Sequence, residues 1–333
     1  MNRPRPLRRL ASRQGRQAPG AGSSQWADPL MSLSQSHPSR IVLPTDFERP
    51  ARRAFYYGLA LAQALGTRVE ILHVIKTATD ASGPPPDTPY LRSLRTSALL
   101  ELGRLTRIAK EAGIQAEPRL DFGVPDDRIL HHMAQPQAKC LVLGTEGRTG
   151  WDRLRLGSTA LKVIRQATCP VLAVHGGLAG DVVRHAARVR FDRILLATDF
   201  SRCAQEALGA VALLVRLTDA KVRVLHVTTT REGKRRGRRN LDQVIRRLRG
   251  QGMDADGAWQ SGDPVEMILE EAGRWEADLV ATGTQGRRGL SRLMLGSVAE
   301  GILRRAGCPV LVVKTAAPLL RAIGRGGRRR ESR

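Results

Sequence analysis

Two glycine loops of one design carry the chemistry that this chain advertises. Gly144, Gly147 and the pair Gly157-Ser158 form the pattern Gly-x-x-Gly-x9-Gly-Ser, and Gly283, Gly286 and Gly296-Ser297 form it again. Each loop follows a short apolar run and opens onto a helix-like stretch. Glycines let a backbone approach an anion closely and take positive φ. A Ser at a helix start adds a hydroxyl to free amide N–H groups at the favourable end of the helix dipole. The expected guest is a phosphate, held without covalent chemistry. Arg148 and Arg287 stand where they can lend charge to it, although an exposed loop arginine is the plainer reading.

The two loops belong to two copies of a longer unit. Gly144-Thr-Glu-Gly-Arg-Thr-Gly150 faces Gly283-Thr-Gln-Gly-Arg-Arg-Gly289, and Cys169-Pro-Val-Leu faces Cys308-Pro-Val-Leu. Earlier, Pro44-Thr-Asp-Phe47 pairs with Ala197-Thr-Asp-Phe200, and Leu72-His-Val74 with Leu225-His-Val227. The spacing between copies shortens between the His-Val landmark and Gly123 or Gly262. An insertion therefore sits in the first copy, where Ser82-Gly-Pro-Pro-Pro-Asp87 reads as a loop.

These landmarks must be positioned by regular elements. In the first copy, residues 39–45, 68–75, 114–122, 140–143 and 171–174 read as strands; 51–65, 88–112, 125–134 and 158–167 read as helices, the last capped by Ser158. The second copy repeats the order, with strands at 193–198, 222–227, 253–261, 279–282 and 310–313 and helices at 203–217, 240–248, 264–275 and 297–305. Strict alternation predicts an α/β protein of two tandem doubly wound domains, each a five-stranded, mainly parallel sheet with helices on both faces. Ligands of such sheets bind beyond the carboxyl ends of the strands. Asp46, Asp199 and both glycine loops all fall at such ends.

A length of 333 residues fits two domains at roughly 100–200 residues each. The expected partition is a basic tail over 1–37, domains over 38–175 and 190–314, a linker over 176–189 and a second basic tail over 315–333. No apolar run approaches the ~18 residues of a membrane span. Four scattered cysteines make no disulfide framework or zinc motif, and a reducing cytoplasm fits them best. The net charge of +24 gathers in the tails and in Lys234-Arg-Arg-Gly-Arg-Arg239. Such runs lack apolar residues to bury, so the tails read as solvated and disordered, with anionic partners as the alternative. The first forty residues or so also share the Arg-rich, acid-poor composition of transit peptides and lack the apolar core of a secretory signal.

Strand-Pro-Thr-Asp-Phe, Leu-His-Val and Gly-x-x-Gly-x9-Gly-Ser followed by Cys-Pro-Val-Leu together resemble the universal stress proteins, and both copies match. Similarity to the ATP-binding branch implies an adenine nucleotide alpha hydrolase-like fold and ATP, with or without Mg2+, in each copy. It implies Asp46 and Asp199 beside the adenosine and the backbones of Val74 and Val227 at adenine. Gly144, Gly147, Gly157 and Ser158, with Gly283, Gly286, Gly296 and Ser297, would hold ribose and phosphates. By the same analogy the strands at 171–174 and 310–313 join the copies as an intrachain pseudo-dimer; association of two chains and the identity of a regulatory protein partner stay open. Glu146 stands where the second loop has Gln285, and Trp151 where it has Leu290. A carboxylate beside the phosphates would make the second copy the tighter site.

Asp46 and Asp199 also suit a helix cap, which competes with site membership. His73 and His226 fall in mid-strand without a partner in their motif and read as hydrogen-bonded core residues. Cys169 and Cys308 read as packed thiols. The lysine loop of P-loop hydrolases is missing, so at most slow ATP hydrolysis is expected. The competing function is binding of nucleic acid or polyphosphate through the arginine-rich segments. With 4% aromatic residues, the chain has few stacking platforms for single strands.

Overall fold

Alternating β-branched and helix-forming runs become alternating strands and helices in the computed structural model, which describes residues 39–77, 88–145, 156–175, 189, 191–228, 233–284 and 295–314. Both basic tails, the segment between the copies save residue 189, and the middle of each glycine loop lie outside the described residues. The first copy runs β1 (Arg40–Pro44), α1 (Arg49–Leu65), β2 (Arg68–Lys76), α2 (Pro89–Glu111), β3 (Ala116–Gly123), α3 (Pro125–Met133), β4 (Ala138–Gly144), α4 (Ser158–Gln166) and β5 (Val171–Val174). The second runs β6 (Arg193–Ala197), α5 (Arg202–Thr218), β7 (Lys221–Thr228), α6 (Gly233–Gly250), β8 (Ala255–Ser261), α7 (Pro264–Arg274), β9 (Leu279–Gly283), α8 (Ser297–Arg305) and β10 (Val310–Val313).

Helix starts follow local chemistry. The Thr88 hydroxyl accepts the Leu91 N–H at 3.2 Å and Pro89 occupies the first turn of α2. Ser201 caps α5 and Asp263 caps α7 in the same manner. Two expectations need correction. Ser158 is the first residue of α4, and Gly157 holds the cap position. The helix expected over 240–248 starts earlier, because α6 begins at Gly233 and takes Lys234 to Arg239 into its first turns.

The ten strands found among the described residues form one sheet in the order β3-β2-β1-β4-β5-β10-β9-β6-β7-β8. Every pairing is parallel except β5 with β10, where Leu172 faces Leu311 in antiparallel register. Strand order reverses between β1 and β4 and again between β6 and β9, as in doubly wound sheets. The pleat sends successive side chains to opposite faces. Ile41, Leu43, Leu172 and Val174 therefore pack under α1, α2, α5 and α6, while Val42, Val171 and Ala173 pack under α3, α4, α7 and α8. Leu172 and Leu311 are both buried, which contributes about 1.5–3 kcal/mol each. Across the same junction the His175 ring donates from Nε2 to the Leu303 carbonyl at 2.7 Å, Lys314 donates to the Arg165 carbonyl, and Arg165 pairs with Glu300 at 3.0 Å. His175 and Lys314 follow β5 and β10 at equivalent places, so each copy reaches over the other.

A buried ionic cluster ties β1, β2, β3 and α3 together. Glu70, 1% exposed, meets Arg40 Nε at 2.9 Å and His132 Nδ1 at 2.7 Å, and His132 Nε2 reaches Asp121 at 3.2 Å. Both ring nitrogens face carboxylate oxygens, so the ring donates twice as an imidazolium. The Glu70 hydrogen bond, outweighing burial, holds the His132 pKa above its ordinary value, with the Glu70 charge and Asp121 adding to it. The second copy exchanges the charges: Arg223 replaces Glu70, Glu271 replaces His132, and the two meet at 3.0 Å. Because one member of each pair sits on the sheet and the other on a helix, either polarity pins the helix in register. A buried pair is weak evidence for stability, but losing one member strands a charge.

Two glycines give opposite expectations. A Cβ on Gly144 would stand 2.6 Å from the backbone carbon of Pro50, whereas one on Gly103, in the middle of α2, would meet nothing within 4 Å. Gly144→Ala should lose about 1–3 kcal/mol through overpacking, and Gly103→Ala should gain about 0.4–1 kcal/mol by restricting the unfolded chain, both read from urea unfolding. The His132 contribution is fully present below the unfolded pKa and fades as pH rises through the raised folded value. His132→Gln should therefore destabilise the protein more at about pH 5.5 than at about pH 9, the ordinary histidine pKa of ~6.5 lying between; an equal loss at both would contradict the imidazolium.

Candidate functional site

The Thr-Asp-Phe and Leu-His-Val motifs prove to be one structural unit. At the end of β1 the Thr45 hydroxyl accepts the Phe47 N–H at 2.9 Å, and Asp46 Oδ1 accepts the Glu48 N–H at 3.0 Å. These bonds hold Phe47 at φ 66°, a left-handed conformation that a bulky residue rarely takes. The turn lays the Phe47 ring on the His73 ring with centroids 4.3 Å apart, while His73 Nδ1–H donates to the Thr45 carbonyl at 2.7 Å. The second copy repeats the unit with Thr198, Asp199, Phe200 at φ 61° and His226. Both histidines are thus held by a backbone carbonyl. Burial pushes the His73 pKa down, favouring the neutral ring.

Above that unit in the first copy lies a cavity of about 700 Å³. Its floor is the carboxyl ends of β1, β2 and β4, through Thr45, Asp46, His73, Val74, Gly144 and Thr145. One wall is the start of α4, with Gly157, Ser158, Thr159 and Ala160. The first amides of a helix have no partner within it, and Leu161 is the first residue of α4 to return a bond, to the Gly157 carbonyl at 2.9 Å. The wall therefore presents N–H groups and a positive dipole end to the cavity. Its position is fixed by Thr145, 1% exposed, whose carbonyl accepts the Gly157 N–H at 2.7 Å and whose N–H donates to the Val174 carbonyl at 3.1 Å. Thr284 does the same between Gly296 and Val313.

Five of the expected residues, Asp46, Val74, Gly144, Gly157 and Ser158, thus line one cavity. Their counterparts Asp199, Val227, Gly283, Gly296 and Ser297 occupy equivalent places at the ends of β6, β7 and β9 and the start of α8. Gly147, Arg148, Gly286 and Arg287 lie outside the described residues, as do Glu146, Gln285, Trp151 and Leu290. Gly144 and Gly283 have a packing reason to be glycine, since α1 and α5 begin directly against them. Asp46 accepts the Glu48 N–H in the turn before α1 and lines the cavity, while the cap position of α1 belongs to Glu48 and not to Asp46.

The opposite wall went unforeseen. Tyr90, Leu94, Ser97, Ala98 and Glu101 of α2 line it. Their spacing of three and four residues places them on one helix face, and that periodicity was the available signal. Lys76, at the end of β2, also lines the cavity. Among the described residues no group of three or more His, Cys, Asp or Glu side chains converges to hold a metal ion. Burial pushes the Cys140 and Cys308 thiols up to about 12 and raises Cys169 as well, which disfavours the reactive thiolate at these three. No described helix is long and apolar enough to cross a membrane.

Residues 38–175 and 190–314 each match the model of the universal stress protein family. Among curated proteins, a universal stress protein of Methanocaldococcus jannaschii is 30% identical over 137 residues, covering 40% of this chain and 81% of the relative. The universal stress protein YxiE of Bacillus subtilis is 28% identical over 147 residues, covering 37% of this chain and 99% of the relative. Among solved structures, a universal stress protein of Archaeoglobus fulgidus superposes with a TM-score of 0.67 at 23% identity, covering 83% of this chain and 98% of its own; that likeness is one of fold. With its sequence matched twice over and its sheet shared with such a structure, the chain belongs to the universal stress protein family.

Proposed function

We propose that the protein is a nucleotide-dependent regulator of the stress response that binds ATP at the carboxyl ends of its strands, any Mg2+ arriving with the nucleotide. The observation that carries this reading is the first-copy cavity, whose volume of about 700 Å³ falls in the usual range for small-ligand sites of roughly 300–1,000 Å³. It combines an apolar end, at Val74, Leu94 and Ala98, with the amide-bearing start of α4. A flat base suits the first and a phosphate chain suits the second. On this reading Asp46 lies beside the adenosine, the Val74 backbone meets adenine, and Gly144, Gly157 and Ser158 cradle ribose and phosphates, with Gly147 and Arg148 completing the loop.

ATP changes such a protein only through different affinities for two states. The element best placed to differ is the glycine loop, whose end residue Thr145 is bonded to β5 and so to the strand that joins the copies. Hydrolysis is at most slow on this reading, because the chain lacks the lysine loop of dedicated nucleotide hydrolases. A second reading, binding of polyanions, is favoured by α6, which exposes Arg235, Arg236, Arg238 and Arg239 along its first turns.

The reading is tested by titrating the full chain with ATP in a calorimeter and following its melting temperature. At a hundredfold excess over Kd, ATP should stabilise the native state by about 2.7 kcal/mol. Absence of both heat and stabilisation would overturn it. Ser97 is exposed at the cavity wall, so Ser97→Trp should fold normally and weaken ATP binding on the order of tenfold or more, about 1.4 kcal/mol. Binding that persists in high salt favours the nucleotide site; binding of polyphosphate that collapses with salt favours the arginine face.

A further inference from the structure

The two copies differ where α2 and α6 cross the second strand of each unit. Gly113 and Gly252 leave these helices at the same place, both with positive φ. Counting back, buried Leu102 matches buried Leu241, and Ala98 matches Gly237. Ala98 and His73 both line the first-copy cavity. In the second copy a Cβ on Gly237 would stand 2.7 Å from both Cδ2 and Nε2 of His226. No side chain tolerates that approach. The backbone of α6 therefore lies directly on the His226 ring, which is 7% exposed. The Arg238 guanidinium, 4.8 Å over the Trp259 ring, holds the same turn down on β8. Other wall positions change with it: Leu94 and Ser97 of α2 correspond to Gly233 and Arg236 of α6.

We infer that the two halves are specialised, the first alone accepting the nucleobase, while the first turns of α6 fill the corresponding place in the second against His226. The inference rests on the nucleotide reading above and sharpens it to one nucleoside polyphosphate per chain, held in the first copy. It reverses the ranking suggested by Glu146 and Gln285, because space for the base is decided before any charge beside the phosphates matters. Gly237 is then a specificity-determining residue, its missing side chain being what lets α6 close on the ring.

The test uses the intact chain. Calorimetric titration with ATP should give one equivalent bound. A photoreactive ATP bearing its azide on the base should label peptides from residues 39–145, including those that carry His73 or the face of α2. Two equivalents, or label on the peptides of β7 and α6, would overturn the specialisation while leaving nucleotide binding intact. No heat and no label would overturn the nucleotide reading itself and this inference with it.

Discussion

The start of α4 can act on a ligand only because it is held against the carboxyl ends of β1, β2 and β4, and the bond from the Gly157 N–H to the carbonyl of buried Thr145 is what holds it there. A helix start free to swing would keep its amides solvated and offer no fixed charge. Thr145 is anchored in turn to β5, and Gly144 beside it has no side chain because α1 begins against it. The Thr-Asp-Phe turn completes the floor by spending a left-handed Phe47 to lay a ring on His73. Each motif read as chemistry is therefore also a joint between elements.

Duplication turns this joint into a symmetric device. Thr145 bonds to Val174 at the end of β5, and Thr284 bonds to Val313 at the end of β10. Those two strands form the antiparallel pair that makes one sheet of two. A ligand that changes the first loop thus acts next to the junction of the copies, a short mechanical route to a changed surface. Elsewhere the copies have diverged within a fixed geometry. Glu70 and His132 against Arg223 and Glu271 show that the fold demands a matched pair there but not a given polarity. The change from Ala98 to Gly237 shows the same freedom applied to space instead of charge.

Much of this was legible in the sequence. Strand and helix order followed from period, and the glycine loops and Asp46 stood out because they punctuate strand ends, whereas Val74 was named only through the family resemblance. The start of α6 was not legible, since Lys234 to Arg239 offers no apolar periodicity; that segment is held by Gly237 against a ring and by Arg238 over another, contacts that hydrophobic patterning cannot register. The α2 wall was hidden because Tyr90, Leu94, Ser97 and Glu101 differ in polarity and share only a helix face. The ionic clusters were missed because a lone Glu70 or Arg223 within an apolar strand declares its partner only when a helix from far along the chain packs over it.

If main-chain amides at the start of α4 hold the phosphates, nucleotide must slow the exchange of those amides. Amide hydrogen exchange of the full chain, with and without saturating ATP, tests it most directly. Slowed exchange is expected at Ser158, Thr159 and Ala160, the first turn of α4. ATP bound in solution with those amides exchanging at an unchanged rate would contradict it.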